Sequence, residues 1–426
     1  MNASLDIVSC GVSPLIPPHL RACIDQAEVL FGSRTLLKAF PQADRTTVVI
    51  GANARQDAEH ALALFRAGKR VVVLASGDAL YHGFGGTLAR LLHTAHGVNP
   101  AVRYHPNITA FQALFHRLQL PWDDARLFCA HQDSDFSLRE VVEAPLAVLY
   151  GGSRTPAHEL AARLVAFYPA AATRPAVVAE HVCDPNAAPS RPAERAERAE
   201  RIVHGTLATL ATVPVAPTSI LVLLQAPCAL PLALGLPEED YERENNLITP
   251  SDVRAVVLAR LRLPASGVLW DIGAGSGSVG LEAAALRPRL HVVAVEKNPE
   301  RVALIDRNRL RLGVSNHTTL QADVSDLTNL ANLTKRPPPD RIFVGGGGLP
   351  AVLNTCFAAL SPGGRLLVSA VTLETVHRLY AWSPEHRTDL TALDISHEHT
   401  LAGRYHHLKA QNRITLFTFC KPDNAV

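Results

Sequence analysis

The chain has no apolar run long enough to cross a bilayer, no basic leader, no paired cysteine motif and almost no net charge. A membrane-spanning helix needs about 20 consecutive apolar residues, so the first absence excludes one. The start Met1-Asn2-Ala3-Ser4-Leu5-Asp6 lacks the cationic region of a secretory signal, and the cytoplasm is the expected location. The seven cysteines, Cys10, Cys23, Cys129, Cys183, Cys228, Cys356 and Cys420, are scattered and odd in number. They spell neither a disulfide framework nor a zinc motif, and no metal site is expected. With 41 basic and 39 acidic residues the formal charge is +2, which argues against a nucleic-acid partner. It leaves room for a local basic pocket that takes an acidic small molecule.

What is present is globular. The 426 residues are 47% hydrophobic and 19% charged, and that length implies two or three domains. In the first half, strands are expected at Leu5–Val8, Thr46–Ile50, Arg70–Ala75, near Leu127, and at Leu146–Tyr150, Ala176–Ala179 and Ser219–Leu224. Helices are expected at Pro18–Leu30, Gln56–Ala67, Ala110–Leu118 and Pro156–Phe167. Such alternation predicts a mostly parallel sheet covered by helices. Pro189-Ser190-Arg191-Pro192 and the Ala-Glu-Arg triplets through Arg201 spread charge around rather than along a helix, and read as a solvated segment. A proline-rich join follows Ala226, and the strand–helix pattern restarts at Val268. The expected division is therefore a first domain at 1–228, a linker at 229–246 and a second domain at 247–426.

The second domain carries one strong motif. Val268-Leu269-Trp270-Asp271-Ile272 reads as a strand that runs into Gly273-Ala274-Gly275-Ser276-Gly277, and a helix follows over Val279–Leu286. Glycines let the backbone approach a ligand, and the helix start offers free N–H groups. The next strand, His291–Val295, ends in Glu296, at the spacing that serves ribose hydroxyls. Gly275, Gly277 and Gly280 also satisfy the dinucleotide fingerprint, so a nicotinamide-type ligand is a serious rival. Asp271 tilts the choice: a carboxylate two residues before the first glycine suits an ammonium group and repels a pyrophosphate. Asp323 offers an acceptor for an adenine amine. Leu360-Ser361-Pro362-Gly363-Gly364 before Arg365–Val368 looks like a turn and strand that recur in class I methyltransferases.

From Gly235 onward the residues resemble the decarboxylating precorrin methylase family of cobalamin synthesis. The resemblance rests on Leu247-Ile248-Thr249-Pro250-Ser251-Asp252-Val253-Arg254, the glycine turn, Glu296-Lys297-Asn298-Pro299, the run Gly345–Gly348 and Ala370-Val371-Thr372-Leu373-Glu374. The first half is similar to the tetrapyrrole (corrin/porphyrin) methylase family through Ala75-Ser76-Gly77-Asp78-Ala79-Leu80-Tyr81-His82-Gly83, Pro106-Asn107-Ile108-Thr109-Ala110 and Gly152-Ser153-Arg154-Thr155-Pro156. It departs from that family at Ser9-Cys10-Gly11, His131-Gln132-Asp133 and Gly151.

The resemblance implies a fused enzyme. Its first half would be a two-part α/β tetrapyrrole-methylase domain, and its second a class I Rossmann-like methyltransferase domain. The implied reaction is two C-methylations of a precorrin, at C5 and C15, with loss of carbon dioxide from an acetate side chain. S-adenosylmethionine is the implied methyl donor, a tetrapyrrole the substrate, and a homo-oligomer the implied assembly.

Donor-binding candidates are Thr249, Asp271, Gly273, Ala274, Gly275, Ser276, Gly277, Glu296, Asp323 and Val324 in the second half. Gly77, Asp78, Thr109 and Ala110 are those of the first. Gly345, Gly346 and Gly347 are the substrate-side candidates. Arg254, Glu374 and His377 are candidate proton donors or carboxylate holders for the decarboxylation. The histidines His397, His399, His406 and His407 lack a fixed helical or strand face that would bring them together, so no metal site is expected there. Two other readings stay open: a class I methyltransferase acting on RNA or protein, and a first half that binds or scaffolds without catalysis.

Overall fold

A computed structural model describes the chain except residues 1–2, 13–15, 43–44, 52, 82, 93–99, 131–135, 153, 183–199, 225–233, 245–247, 327–328, 330–331, 347, 402, 404 and 424–426. His82, His131–Asp133, Ser153, Gly347, Leu247, the triplet segment up to 199 and the join after Ala226 thus lie outside the described residues. The chain divides into two compact units. One comprises Met1–Ser134, Ala144–Val165 and Ala170–Ala226, the other Asp135–Glu143, Ala166–Pro169 and Pro227–Val426.

The first unit holds two five-stranded sheets. Strands β1 (Ser4–Ser9), β2 (Val29–Gly32), β3 (Thr46–Val49), β4 (Arg70–Ala75) and β5 (Val102–His105) lie in the order β3-β2-β4-β1-β5, all parallel. Val71, Val72, Val73 and Leu74 are all buried, as expected of a strand covered on both faces. The expected helix to Leu30 stops at Asp25, because Val29 to Phe31 pair with β4. There, tertiary pairing overrides helical periodicity.

Strands β6 (Ala125–Cys129), β7 (Leu146–Tyr150), β8 (Pro175–Glu180), β9 (Arg201–Thr206) and β10 (Ile220–Leu223) form the second sheet, ordered β6-β7-β10-β8-β9. Among the described residues its only parallel pair is β6 with β7. The expectation of mostly parallel pairing therefore fails for this sheet. β7 and β8, joined through the helix Ala157–Phe167, run the same way, but β10 lies between them and runs opposite to both.

The second unit is built on seven strands: β11 (Ser266–Ile272), β12 (Arg289–Glu296), β13 (His317–Gln321), β14 (Arg341–Val344), β15 (Arg365–Ala370), β16 (Arg387–Leu393) and β19 (Ile414–Cys420). Their order is β13-β12-β11-β14-β15-β19-β16, with β19 antiparallel to both neighbours. Between β16 and β19, β17 (Ser396–Leu401) and β18 (Tyr405–Ala410) pair only with each other. Trp270 is fully buried on one face of the sheet, among Ile342, Leu366 and Phe417. Leu236 and Tyr241, inside the expected linker, are buried in the core on the other face. The second unit's packing thus begins before residue 247.

Candidate functional site

In the second unit the strand order reverses between β11 and β14, and ligands of open α/β sheets sit outside the carboxyl ends of the strands at such a point. Both glycine segments lie there. Gly273, Gly275 and Gly277 have φ of +72°, +60° and +75°, a left-handed backbone that side chains rarely adopt. The turn is tied down where Gly273 and Ala274 donate N–H groups to the Val295 carbonyl, at 2.9 and 3.1 Å. A Cβ on Gly277 would lie 2.9 Å from Ile305, whereas one on Gly275 would meet nothing within 4 Å. Gly277 is therefore required by packing and Gly275 faces open space. From β14, Gly345 donates to the Ile272 carbonyl at 3.0 Å, and a Cβ on it would sit 3.1 Å from the Gly273 carbonyl. Gly346 (φ +79°) also faces open space and donates to Ser369 Oγ at 3.3 Å, whereas a Cβ on Gly348 would strike Leu353.

Two carboxylates support the turn from beneath. Glu296, 5% exposed, accepts from Gly275 N–H at 2.9 Å and Asn298 N–H at 3.0 Å. Asp271, 1% exposed, accepts from Gly280 N–H at 2.9 Å through Oδ2. Its Oδ1 has no hydrogen-bond partner among the described residues. Burial pushes the Asp271 carboxyl up to about 7, the Gly280 N–H pulls it down, and the nearby Glu296 charge raises it further. A Cβ on Gly280 would lie 2.8 Å from Asp271 Oδ2, which explains this glycine without a dinucleotide.

Asp323 is exposed, and hydrogen bonds from the Ser325 hydroxyl (2.7 Å) and N–H (2.9 Å) hold it below the usual carboxylate range. Val324 instead lines a recess of about 230 Å³ with Val295, Leu320, Ala322 and Leu333.

The decarboxylation candidates separate. Arg254 is fully buried: its Nε lies 2.9 Å from Glu282 Oε2, itself fully buried. The guanidinium also donates to the carbonyls of Leu236 and Thr249 and covers the Tyr241 ring at 4.9 Å. Glu282 accepts in addition from Gly235 N–H (2.6 Å) and the Tyr241 hydroxyl (3.3 Å). Arg254 is therefore a clamp that holds the segment from Gly235 to Thr249 on the domain, not a group facing substrate. Half-buried Thr249 is placed by that clamp. Glu374 and His377 are exposed, one turn apart on the helix Leu373–Ala381, which follows β15.

In the first unit the four predicted residues Gly77, Asp78, Thr109 and Ala110 line one cavity of about 490 Å³. Gly11 (φ +64°) and Gly77 (φ +63°) bridge each other with N–H···O distances of 3.0 and 3.1 Å. Asp78 Oδ1 accepts from Leu80 N–H at 2.9 Å, and Thr109 caps the helix Ala110–Leu118 in a reciprocal box with Gln112. Sequence reasoning missed the rest of the wall, which includes Cys10, Tyr81, Cys129, Tyr150, His181 and Thr218. The Tyr81 and Tyr150 rings lie 5.5 Å apart, and Tyr150 Oη accepts from Phe111 N–H. Burial pushes the Tyr150 phenol up to about 12 and the Cys10 thiol up to about 11, so both are neutral near pH 7. A side chain at Gly151 would come within 3.0 Å of Ala157 N and the Ser219 carbonyl, so this chain has no room there for an acidic residue.

A glycine turn at the switch point, with the buried carboxylates Asp271 and Glu296 beside it, makes a candidate ligand cradle in the second unit. Residues 239–421 match the family described as precorrin methyltransferase domain, and residues 7–211 that of tetrapyrrole (corrin/porphyrin) methylases. A cobalt-precorrin-6B C(15)-methyltransferase (decarboxylating) of Salmonella typhimurium is 34% identical over 188 residues, 43% of this chain and 94% of the relative. The chain belongs to the decarboxylating precorrin methyltransferase family. A precorrin-6Y C(5,15)-methyltransferase [decarboxylating] of Sinorhizobium sp is 36% identical over 175 residues, 41% of this chain but 37% of the relative's length. The crystallised C-terminal domain of precorrin-6Y C5,15-methyltransferase from Rhodobacter capsulatus is 30% identical over 45% of this chain and all of that chain, with a TM-score of 0.41. No helix among the described residues is long and apolar enough to cross a membrane.

Proposed function

We propose that this chain is a fused, two-site enzyme that methylates a precorrin at C5 and C15 and removes carbon dioxide from an acetate side chain. In this reading residues 1–228 form the C5 module and 247–426, with the packed residues Leu236 and Tyr241 before it, a class I methyltransferase module for C15 and the decarboxylation. The observation that carries it is the pairing, at one switch point, of the open Gly275 and Gly346 with an unpartnered, fully buried Asp271 oxygen. A backbone cradle with room above it and a carboxylate below fits a ligand that carries an ammonium group.

S-adenosylmethionine, when bound, supplies an electrophilic methyl group. Asp271 would take the ammonium, Glu296 the ribose hydroxyls, and the recess at Val324 the adenine ring, with Asp323 at its rim. Ala274 and Ser276 carry the turn between the glycines, and Thr249 closes it from the clamped segment. Gly345 and Gly346 leave the carboxyl edge bare for a flat macrocycle; Gly347 lies between them and Gly348, outside the described residues. The substrate's enamine-like ring carbon is its own nucleophile, so positioning dominates, and orientation alone is worth several kcal/mol.

Decarboxylation leaves electrons in the conjugated ring and then needs a proton at the new carbon. Glu374 and His377, exposed on the helix after β15, are the candidates to supply it. In the first unit Gly77, Asp78, Thr109 and Ala110 would hold a second donor molecule against a wall that includes the neutral Tyr150 phenol and Cys10 thiol. A homo-oligomer would give the ribbon β17–β18 a partner, since it leaves Tyr405 and Leu408 57% and 75% exposed. Calorimetry of the whole chain with S-adenosylhomocysteine tests the two-site reading. Two sites per chain are expected, and a single site would remove the C5 module from the proposal.

A further inference from the structure

Away from the cavity, three kinds of metal-ligating side chain meet on the first sheet. Asp6 of β1, Cys23 of the helix Pro18–Asp25 and His105 of edge strand β5 bring their carboxylate oxygen, sulfur and ring nitrogen within 4.8 Å of one another. Asp6 is 1% exposed, and His105 Nε2 lies 2.9 Å from its Oδ1. His19 precedes Cys23 by four residues, which places both on one face of the helix. It lines the same recess of about 230 Å³ as Asp6, Cys23 and Arg103.

We propose that this cluster binds one divalent transition-metal ion, with zinc preferred, through Asp6, Cys23 and His105, and with His19 as the fourth ligand. One thiolate, imidazoles and one carboxylate are the donor types zinc takes at tetrahedral sites, whereas calcium and magnesium select oxygen alone. On binding, the Cys23 thiol gives its proton to solvent; thiolate and carboxylate then balance the ion's two positive charges. The competitor is Arg103, whose guanidinium lies 2.7 and 2.9 Å from the two Asp6 oxygens. Its side chain is 56% exposed and can turn into water, while the ion takes over the charge of the buried Asp6. Arg70, which also lines the recess, is engaged by Glu28 at 4.0 Å. An ion here ties the helix to β1 and β5. Cys10 and Gly11, directly after β1, line the cavity, so the metal would brace one of its walls.

The test is a Co²⁺ titration of the reduced, chelator-treated full-length protein with no tetrapyrrole present. One equivalent should bind with a thiolate-to-metal charge-transfer band that Zn²⁺ abolishes. Cys23→Ser should lose the band while keeping the wild-type circular dichroism. Arg103→Gln, which removes the competing cation, should bind about fivefold more tightly. A His399→Ala/His407→Ala variant should keep the band. Absence of the band in the wild-type protein, its survival in Cys23→Ser, or loss of it with the ribbon histidines would each overturn the proposal.

Discussion

On the proposed reading the two halves build a donor site in opposite ways. In the second unit five consecutive residues, Gly273 to Gly277, make the turn, and two carboxylates beneath it come from the ends of neighbouring strands. In the first unit the cavity wall is collected from segments scattered between Cys10 and Ile220. The compact site concentrates its hydrogen bonds on a few groups, so single substitutions should disable it. The dispersed cavity spreads the same task over many weak contacts and should lose function by degrees.

The largest effect is expected at the clamp. Arg254→Met leaves Glu282 charged, buried and unpaired, and should cost about 3–5 kcal/mol in the second unit's unfolding free energy. Urea unfolding of a Trp122→Phe/Trp382→Phe background, followed by the remaining Trp270 fluorescence, measures it; a loss under 1 kcal/mol would mean the pair is no clamp. Next, Glu296→Ala removes two charge-assisted acceptors and should weaken donor binding at the second unit about 100-fold. Methylation at C5 should persist in that variant, as product mass spectrometry would show.

A pH titration sharpens the contrast further. Asp271 is neutral below about 7 and charged above it, so donor affinity at its site should rise about tenfold from pH 6 to pH 8. The native fold favours the protonated form, so the free protein should lose stability as pH rises toward that value. The first unit's Tyr150 and Cys10 titrate near 12 and 11, so neither contributes a change in affinity there across the same range. Calorimetry at three pH values separates the sites. The smallest effect is expected from Thr109→Ala, which removes a helix cap on the cavity wall for about 1 kcal/mol, or about fivefold in donor affinity at that site. A 100-fold loss there would erase the contrast between compact and dispersed sites.

The same contrast governs what the sequence reveals. A turn made of neighbours is visible as Gly273–Gly277, and the strand before it and the carboxylate after β12 follow from spacing. Gly77, Asp78, Thr109 and Ala110 were legible because each pair belongs to a local loop. Tyr150, His181 and Thr218 were not, since only the return of β10 between β7 and β8 brings them to one wall. Arg254 looked available for chemistry because its partner Glu282 lies 28 residues away, and nothing local says that both are buried. The linker looked longer than it is for a similar reason: Leu236 and Tyr241 are core residues fixed by that distant pair. The cluster of Asp6, Cys23 and His105 has no motif spacing, because its members come from two strands and a helix.

Mass spectrometry of a precorrin turned over by the purified full-length chain bears most directly on the central proposal. Two methyl groups gained, one carboxyl group lost and two equivalents of S-adenosylhomocysteine per tetrapyrrole are predicted. A product that carries a single methyl group and an intact acetate would contradict it.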